Sequence, residues 1–352
     1  MEDLSQIVKD LVLNAGAIAA GIATVETLKG GPPSTDLRYV LQDAKSAVCF
    51  ALALDQHLIL SYLKKEDYLS YNKDYARTYL QVNGITLELA SFLGMKGYPS
   101  VPVASNFVYR KDTPRGLLDE MPDISHRYLA VRSGVGHFGL SGNVLRRKEG
   151  AAIVLGSIVT AAELTPTDPL PKEENYCDNC RICMASCIPG FMSSNETATV
   201  TLGGFDFSYS KRRGHIRCDY VCGGFAGLHP SGQWSTWSPA RFQIPQNEDD
   251  FRRVFKIAAK AYAKRRKPAG SFFHPLIPGY NTEFTCGNCQ LVCHPDKEER
   301  KRRHKMLMEG GVVVQNPNGL YGAISPEAAE EYLAVMDPKV RALYEEVPQS
   351  SD

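Results

Sequence analysis

Three features are missing from this sequence, and each absence excludes a class of protein. No run of about 18 apolar residues occurs, so no transmembrane helix is expected. The opening residues, MEDLSQIVKD, contain no basic stretch and no twin arginine, so no export signal is expected. Net charge is nearly absent, because 40 Lys and Arg balance 39 Asp and Glu, so overall charge indicates neither nucleic acid nor an anionic membrane as a partner. We therefore predict a cytoplasmic protein without membrane association.

Internal repeats of roughly 20–50 residues are also absent, which excludes a solenoid or a propeller. The composition of the 352 residues, 43% hydrophobic and 22% charged, is that of an ordinary globular protein. A chain of this length forms one large domain or two.

Helices and apolar strands alternate through the first part of the chain, which predicts an α/β domain over residues 1–165. The pattern predicts a helix over residues 3–15 and a long helix that ends at Gly94 or Gly97. Apolar segments typical of buried strands occur in AIAAGIATV, AKSAVCFALAL, PSVPVASNF and AAIVLGSIVTAAEL. The segment TPTDPLPKEEN, rich in proline and charge, marks a domain boundary. Beyond it we predict a cysteine-dense domain over residues 166–310 and a helical tail over residues 311–352.

Cysteine is abundant: nine of the ten lie between Cys177 and Cys293. A reducing cytoplasm keeps thiols free, so structural disulfides are not expected. The exception, Cys49, lies in an apolar strand, and we expect it to be a small buried core residue.

The segment YCDNCRICMASC has the spacing C-x2-C-x2-C-x3-C. In bacterial ferredoxins this spacing places three thiolates on one [4Fe–4S] cluster and the fourth on a second cluster. The later segment CGNCQLVC supplies the complementary half. We assign the first cluster to Cys177, Cys180, Cys183 and Cys293. The second is assigned to Cys187, Cys286, Cys289 and either Cys218 or Cys222. A four-cysteine zinc site is the alternative, but it leaves five of these thiols unexplained.

The stretch from RSGVGHFGLSGN to YCDNCRICMASC resembles the cobalamin-dependent iron–sulfur family of epoxyqueuosine reductases and reductive dehalogenases. A Gly-rich element, a strand ending near E-L-x-P, the ferredoxin motif, a lone cysteine as in RCDY and a segment like CGNCQLVC follow in the family's order. The resemblance implies a nitroreductase-like corrinoid-binding domain followed by a ferredoxin-like domain with two [4Fe–4S] clusters. Base-off cobalamin would lie between the two domains.

The resemblance also implies residues that contact the corrin. Glycines of the Gly-rich element would let the backbone approach it, and neighbouring polar side chains would donate hydrogen bonds. These residues are Gly134, Gly136, Gly139, Ser141 and Asn143. The family often has Trp or Glu where this chain has His137, which either tunes the site or simply packs. A Rossmann dinucleotide site is not favoured, because the preceding HRYLAVRS has a helical pattern where a strand is required.

A reductase of this kind needs a proton donor. The family resemblance leaves several candidates open in NFVYRKD and RGLLDEMPDISHRYLAV: Tyr109, beside the cation Arg110, and then Glu120, Asp123 and His126.

The function that this resemblance implies is reduction of an organic substrate by electrons that pass through two clusters to cobalamin. One alternative is an epoxyqueuosine reductase acting on tRNA, and another is an electron-transfer protein that reduces a partner. The expected donor is a low-potential ferredoxin or flavodoxin, for which the basic segments AKRRK and ERKRRHK offer docking sites; solvated helix faces would explain the same charges. Trp234 and Trp237 either anchor a loop or form a lid over the substrate.

Overall fold

The protein is described from a computed structural model that covers residues 3–103, 108–268 and 284–346, without the side chains of residues 117, 118, 248 and 252. Within these residues the α-helices are α1 (Leu4–Asn14), α2 (Gln56–Leu63), α3 (Leu69–Met95), α4 (His126–Arg132), α5 (Ile182–Ala185), α6 (Ile216–Cys222), α7 (Glu248–Lys264), α8 (Asn288–Leu291), α9 (Lys297–Glu309), α10 (Pro326–Ala334) and α11 (Pro338–Arg341). The strands are β1 (Ala19–Thr24), β2 (Ser46–Ala53), β3 (Ser100–Val103), β4 (His137–Phe138), β5 (Val144–Leu145), β6 (Ile153–Thr160), β7 (Met192–Leu202), β8 (Phe205–Arg212), β9 (Val312–Gln315) and β10 (Tyr321–Ile324).

The main sheet has the order β1-β2-β6-β3, and every neighbouring pair is antiparallel. Both faces of β2 are buried, which explains why its sequence is continuously apolar instead of alternating. Val48, Phe50 and Leu52 belong to the core that includes residues of α1 and α3, and Cys49 belongs to the core against α4. The chain therefore has a mixed α/β fold, and the prediction that Cys49 is a buried core residue is confirmed.

Helix α3 ends as the sequence predicts. Gly97 takes φ +87°, and the N–H of Tyr98 donates to the carbonyl of Leu93 at 2.9 Å. These contacts form the Schellman arrangement that satisfies the last carbonyls of a helix. This helix terminus sets the point at which the chain turns back into β3.

Two hairpins were not predicted. The pair β7–β8, joined by Gly203 and Gly204, lies in the region predicted as a cysteine-dense domain, and β9–β10 lies in the segment predicted as a helical tail. The Gly-Gly turn between alternating Thr, Val and Phe residues is a hairpin signal that the sequence analysis passed over. The rest of that tail contains the helices α10 and α11.

The cysteine-bearing part packs directly on the sheet part. Trp237 Nε1 donates to the carbonyl of Tyr62 at 2.9 Å, and Arg303 Nη2 donates to Gln56 Oε1 at 2.8 Å. Gln290, in α8 between the last cysteines, donates to the carbonyl of Ile153 at 2.9 Å. These bonds hold the cysteine segments against α2 and the end of β6. None of the helices described above is long and apolar enough to span a bilayer.

Candidate functional site

The first group of cysteines surrounds one cavity. Cys177, Cys180, Cys183 and Cys293, which are more than 100 positions apart at the extremes, line an empty volume of about 360 Å³. The chain curls between the first three because Asn179 and Arg181 adopt left-handed backbone angles of φ +57° and +61°. Such angles are strained for residues other than glycine and persist where the surroundings require them. The grouping is the one predicted for the first cluster.

Two hydrogen-bond donors face the sulfurs of this group. The backbone N–H of Leu140 donates to Cys177 Sγ at 3.3 Å, and the hydroxyl of Tyr176 lies 3.4 Å from Cys293 Sγ. Hydrogen bonds to cluster sulfurs and ligands are among the contacts that set the reduction potential of an iron–sulfur cluster.

The remaining cysteines form a second group. Burial raises the pKa of Cys187, and the nearby thiolates of Cys289, Cys218 and Cys286 raise it further. Burial likewise raises the pKa of Cys289 to about 12, with Cys218 and Cys286 as neighbours. These interactions group Cys187, Cys218, Cys286 and Cys289 as electrostatic neighbours. The cysteines that interact with Cys222 are Cys218 and Cys286, and Cys222 donates to the carbonyl of Cys286 at 3.2 Å. This arrangement favours Cys218 over Cys222 as the fourth ligand.

Polar groups also contact the second group. The N–H of Phe191 donates to Cys187 Sγ at 3.3 Å, and Asn143 Nδ2 lies 3.8 Å from Cys289 Sγ. Arg212 Nη2 donates to Asn143 Oδ1 at 3.0 Å and so fixes the orientation of that amide. Burial and the neighbouring Arg127 lower the pKa of Arg212 to about 9. A buried guanidinium in this position suits a negatively charged group nearby.

The thiols are free and dispersed. All ten cysteines are free, which agrees with the expectation of no disulfides. Among the described residues, no three His, Cys, Asp or Glu side chains converge closely enough to hold one metal ion. A zinc ion requires all four sulfurs about 2.3 Å from one centre. An iron–sulfur cube instead binds each cysteine through a different iron atom, so sulfurs spread around a cavity fit a cube better than zinc.

The Gly-rich segment packs against the protein itself. A Cβ on Gly134 would lie 2.5 Å from the carbonyl oxygen of Asp168, and one on Gly136 would lie 2.6 Å from that of Leu145. A Cβ on Gly139 would meet the side chain of Leu145 at 2.7 Å. The predicted role of these glycines, close approach to a corrin, is therefore not supported by their positions. They instead let the segment fold tightly, with Ser141 in the wall of the first cavity and Asn143 at the second cysteine group.

An acidic pair lies beside the second cysteine group. Burial raises the pKa of Glu120 to about 9, and a hydrogen bond to the carboxylate of Asp219 contributes. Asp219 lies between Cys218 and Cys222 on α6, and burial raises its pKa as well. Two carboxyl groups this close share a proton, and Glu120 holds it at neutral pH. Asp219 nevertheless remains exposed to solvent.

Tyr109 completes this acidic site. Burial raises its pKa to about 12, and the charges of Asp219 and Glu120 act in the same direction. The neutral phenol of Tyr109 and the protonated carboxyl of Glu120 therefore lie together, although both are about 100 positions from Asp219 in the sequence. Such groups can donate protons to a bound substrate.

A row of tyrosines on α3 lies on the other side of Cys222. Burial raises the pKa values of Tyr71, Tyr75 and Tyr79, and the thiolate of Cys222 raises each further. The three recur at every fourth position, so they occupy one helix face, with the hydroxyls of Tyr75 and Tyr79 3.1 Å apart. The spacing in YNKDYARTY signals this face, but the sequence analysis did not single it out.

Comparison with known proteins gives three relevant likenesses, while no family model matches the chain. An epoxyqueuosine reductase from Atelocyanobacterium thalassa (isolate ALOHA) is 26% identical over 175 residues, which are 49% of this chain and 50% of that protein. The match thus spans about half the length of the relative. A solved reductive dehalogenase, described by its authors as suggesting a mechanism for B12-dependent dehalogenation, has a TM-score of 0.50 and 13% identity, over 90% of this chain and 40% of that chain. An epoxyqueuosine reductase structure from Bacillus subtilis covers 97% of this chain and 88% of its own, with a TM-score of 0.42 and 15% identity.

The chain is similar in sequence to the epoxyqueuosine reductases and in fold to the reductive dehalogenases. At this level of identity the structural likeness concerns the fold, a mixed α/β architecture of the kind found in this family.

Two predicted proton donors lie away from the acidic site. His126 is 2% exposed. Its Nδ1 lies 2.9 Å from Ser157 Oγ, so a hydrogen bond joins these two buried side chains of α4 and β6. Asp123 is half-buried near Arg110 and Lys111, and burial raises its pKa. The guanidinium of Arg110 binds Asp112 at 2.6 Å, so the structure does not bear out a paired Tyr109 and Arg110 of the kind proposed for this family. These placements favour Glu120 and Tyr109 over His126 and Asp123 as proton donors.

His137, which departs from the family pattern, is half-buried in β4, and burial lowers its pKa, so the ring is neutral. Its Nε2 has no hydrogen-bond partner among the described residues. The two tryptophans are each 2% exposed, and Trp237 packs on Tyr62 and Tyr68. They anchor the core, and the idea of an aromatic lid is wrong.

Proposed function

We propose that the protein is an oxidoreductase that passes low-potential electrons through two [4Fe–4S] clusters to a bound cobalamin and reduces an organic substrate. The observation that carries this proposal is the convergence of eight cysteines from three distant segments into two groups, one of them surrounding a cavity. In this proposal Cys177, Cys180, Cys183 and Cys293 hold the first cluster. Cys187, Cys218, Cys286 and Cys289 hold the second. Nine unpaired thiols suit a reducing compartment such as the cytoplasm.

The acidic site supports the placement of cobalamin next to the second cluster. Glu120, Asp219 and Tyr109 interact with one another adjacent to Cys218, where a substrate could be reached from a corrin between the two parts of the chain. When bound, cobalamin would supply a strongly reducing cobalt centre. In this reading the sheet part, residues 1–165, is a nitroreductase-like corrinoid-binding domain, and residues 166–310 are a ferredoxin-like domain.

Glu120 is the proton donor in this proposal. Its raised pKa keeps the carboxyl protonated at neutral pH, which a general acid requires. Asp219 holds the proton on Glu120 through their hydrogen bond, and Tyr109 offers a second neutral donor at the same site.

The substrate is tested by a single-turnover assay. Protein loaded with clusters and cobalamin is reduced anaerobically and mixed with a tRNA stem-loop that contains epoxyqueuosine, or with halogenated phenols, and consumption is followed by mass spectrometry. We expect the loaded protein to consume one of these classes and the protein without cobalamin to consume neither. Cluster-loaded protein that does not retain cobalamin, yet reduces a partner protein, would instead support the electron-transfer alternative.

Electrons are proposed to enter at the first cluster, from an acidic ferredoxin or flavodoxin docked on α9. Cys180 is exposed and shares a surface groove with Lys297, Lys301 and Lys305 of that helix. Three acidic residues offset part of this charge, through ion pairs of Lys297 with Asp178, Lys301 with Glu298, and Lys305 with Glu309. The lysine side chains stay more than half exposed, so they remain available to a partner.

The double variant Lys301→Glu/Lys305→Glu tests this docking site. We expect the rate of cluster reduction by reduced flavodoxin at low ionic strength to fall about tenfold or more, because charge steering changes association rates by 10–10³. Reduction by dithionite should be unchanged. Stopped-flow absorbance measures both rates.

The matched control is Lys256→Glu/Lys260→Glu, which makes the same charge change at the same spacing on exposed positions of α7 outside the AKRRK segment. An equal loss of rate in this control, or no loss in the α9 variant, would show that the donor does not dock on α9.

A further inference from the structure

Lys65 is a buried cation without a hydrogen-bonded partner. It follows α2 in a left-handed backbone conformation, φ +62°, and is 7% exposed. Its Nζ has no hydrogen-bond partner among the described residues. An unpaired ammonium is rarely buried, because desolvation strongly disfavours its charge. The position therefore suits a negatively charged group beside the ammonium.

Among the described residues, one negatively charged group acts on the Lys65 ammonium, and it belongs to a cysteine assigned to the second cluster. Burial lowers the pKa of Lys65 to about 7, and the thiolate of Cys286 opposes this shift. The same interaction lowers the pKa of Cys286, after the hydrogen bond from Cys222. Lys65 thus lies on the side of the second cysteine group that faces α2.

Trp237 fixes this arrangement. The Lys65 Nζ lies 5.8 Å from the centre of the Trp237 ring. The ring nitrogen of Trp237 donates to the carbonyl of Tyr62, and its backbone N–H donates to the carbonyl of Thr285, both at 2.9 Å. Trp237 therefore links two segments: the end of α2, which precedes Lys65, and Thr285, which precedes Cys286. Its ring also covers one side of the Lys65 ammonium.

We propose that Lys65 is a positioning residue that places a buried ammonium beside the second cluster and raises the reduction potential of that cluster. A [4Fe–4S] cluster with four thiolate ligands is negatively charged and gains one further negative charge on reduction. A neighbouring buried cation stabilises the reduced form, because charge and hydrogen bonding around a cluster set its potential. This inference rests on the proposed function, since it needs the second cluster to be present.

The test is an anaerobic redox titration of the reconstituted full chain, followed by electron paramagnetic resonance. Signals of the two clusters are assigned with Cys180→Ser, which alters the first cluster. In Lys65→Met we expect the reduced-to-oxidised ratio of the second cluster to fall at least tenfold at a given potential, which is 59 mV for a one-electron couple. The first cluster should be unchanged.

Two control variants separate charge from packing. Lys65→Arg keeps the positive charge and should keep the wild-type potential, and Lys64→Met removes a neighbouring charge whose side chain is 43% exposed and should change neither cluster. If Lys65→Met loses iron, the same titration is made on Lys65→Gln, which removes the charge, and compared with Lys65→Arg, which keeps it. Unchanged potentials in the charge-removing variants, or equal shifts of both clusters, would overturn the proposal. Absence of the second-cluster signal in the wild type would instead contradict the proposed function.

Discussion

Replacement of Cys218 by alanine is expected to remove the second cluster, whereas replacement of Cys222 is not. Cys218 lies among Cys187, Cys286 and Cys289, while Cys222 faces Cys286 and the tyrosines of α3. A cube that lacks one of its four thiolates does not assemble stably, so Cys218→Ala should bind about four fewer irons than the wild type. Iron and acid-labile sulfide per chain, counted after anaerobic reconstitution, measure this loss.

Cys49→Ala is the matched control for these variants, because Cys49 lies in the sheet core and should leave the iron content unchanged. Full iron in Cys218→Ala together with loss of about four irons in Cys222→Ala would assign the fourth ligand to Cys222.

The variant Glu120→Gln is expected to lower the rate of substrate reduction by about 10²–10⁴-fold, the range that a positioned general acid contributes. Glutamine preserves the size of the side chain but cannot donate a carboxyl proton. The raised pKa of the wild-type Glu120, about 9, keeps this carboxyl protonated below that pH. The wild-type rate should therefore be level at neutral pH and fall as the pH rises through 9. Single-turnover rates measured from pH 6 to 10 give both results.

The control for this variant is Glu163→Gln, an equivalent change at an exposed carboxylate that pairs with Lys45 at 2.6 Å. It should keep the wild-type rate and pH profile. A Glu120→Gln protein with normal iron content, a normal rate and the same fall near pH 9 would show that another group supplies the proton.

Local sequence patterns predicted the parts of the fold that depend on local physics. Continuous apolar runs indicated the buried strands, and Gly97 indicated the end of α3. The C-x2-C spacing predicted which thiols lie together, because short spacers restrict how a chain can curl. The group that includes Cys177 and Cys293 in one cavity follows the assignment made from the sequence.

The rest of the site depends on contacts between distant residues. Glu120 and Asp219 meet across about 100 positions, and no local pattern indicates that pairing. Lys65 follows a helix whose sequence resembles any surface segment, and only tertiary packing buries its ammonium. For the three glycines of the Gly-rich segment the structure shows that a Cβ would clash with neighbouring protein atoms, and their role at a corrin stays a prediction.

The most direct test of this account is the metal content of the wild-type chain after anaerobic reconstitution with iron, sulfide and cobalamin. The two cysteine groups predict about eight irons per chain, and the proposed corrin site predicts cobalt in equal proportion to protein. Zinc bound without iron, or about four irons per chain, would contradict the two-cluster assignment. Eight irons with no retained cobalt would contradict the proposal that the clusters feed a corrinoid within this protein.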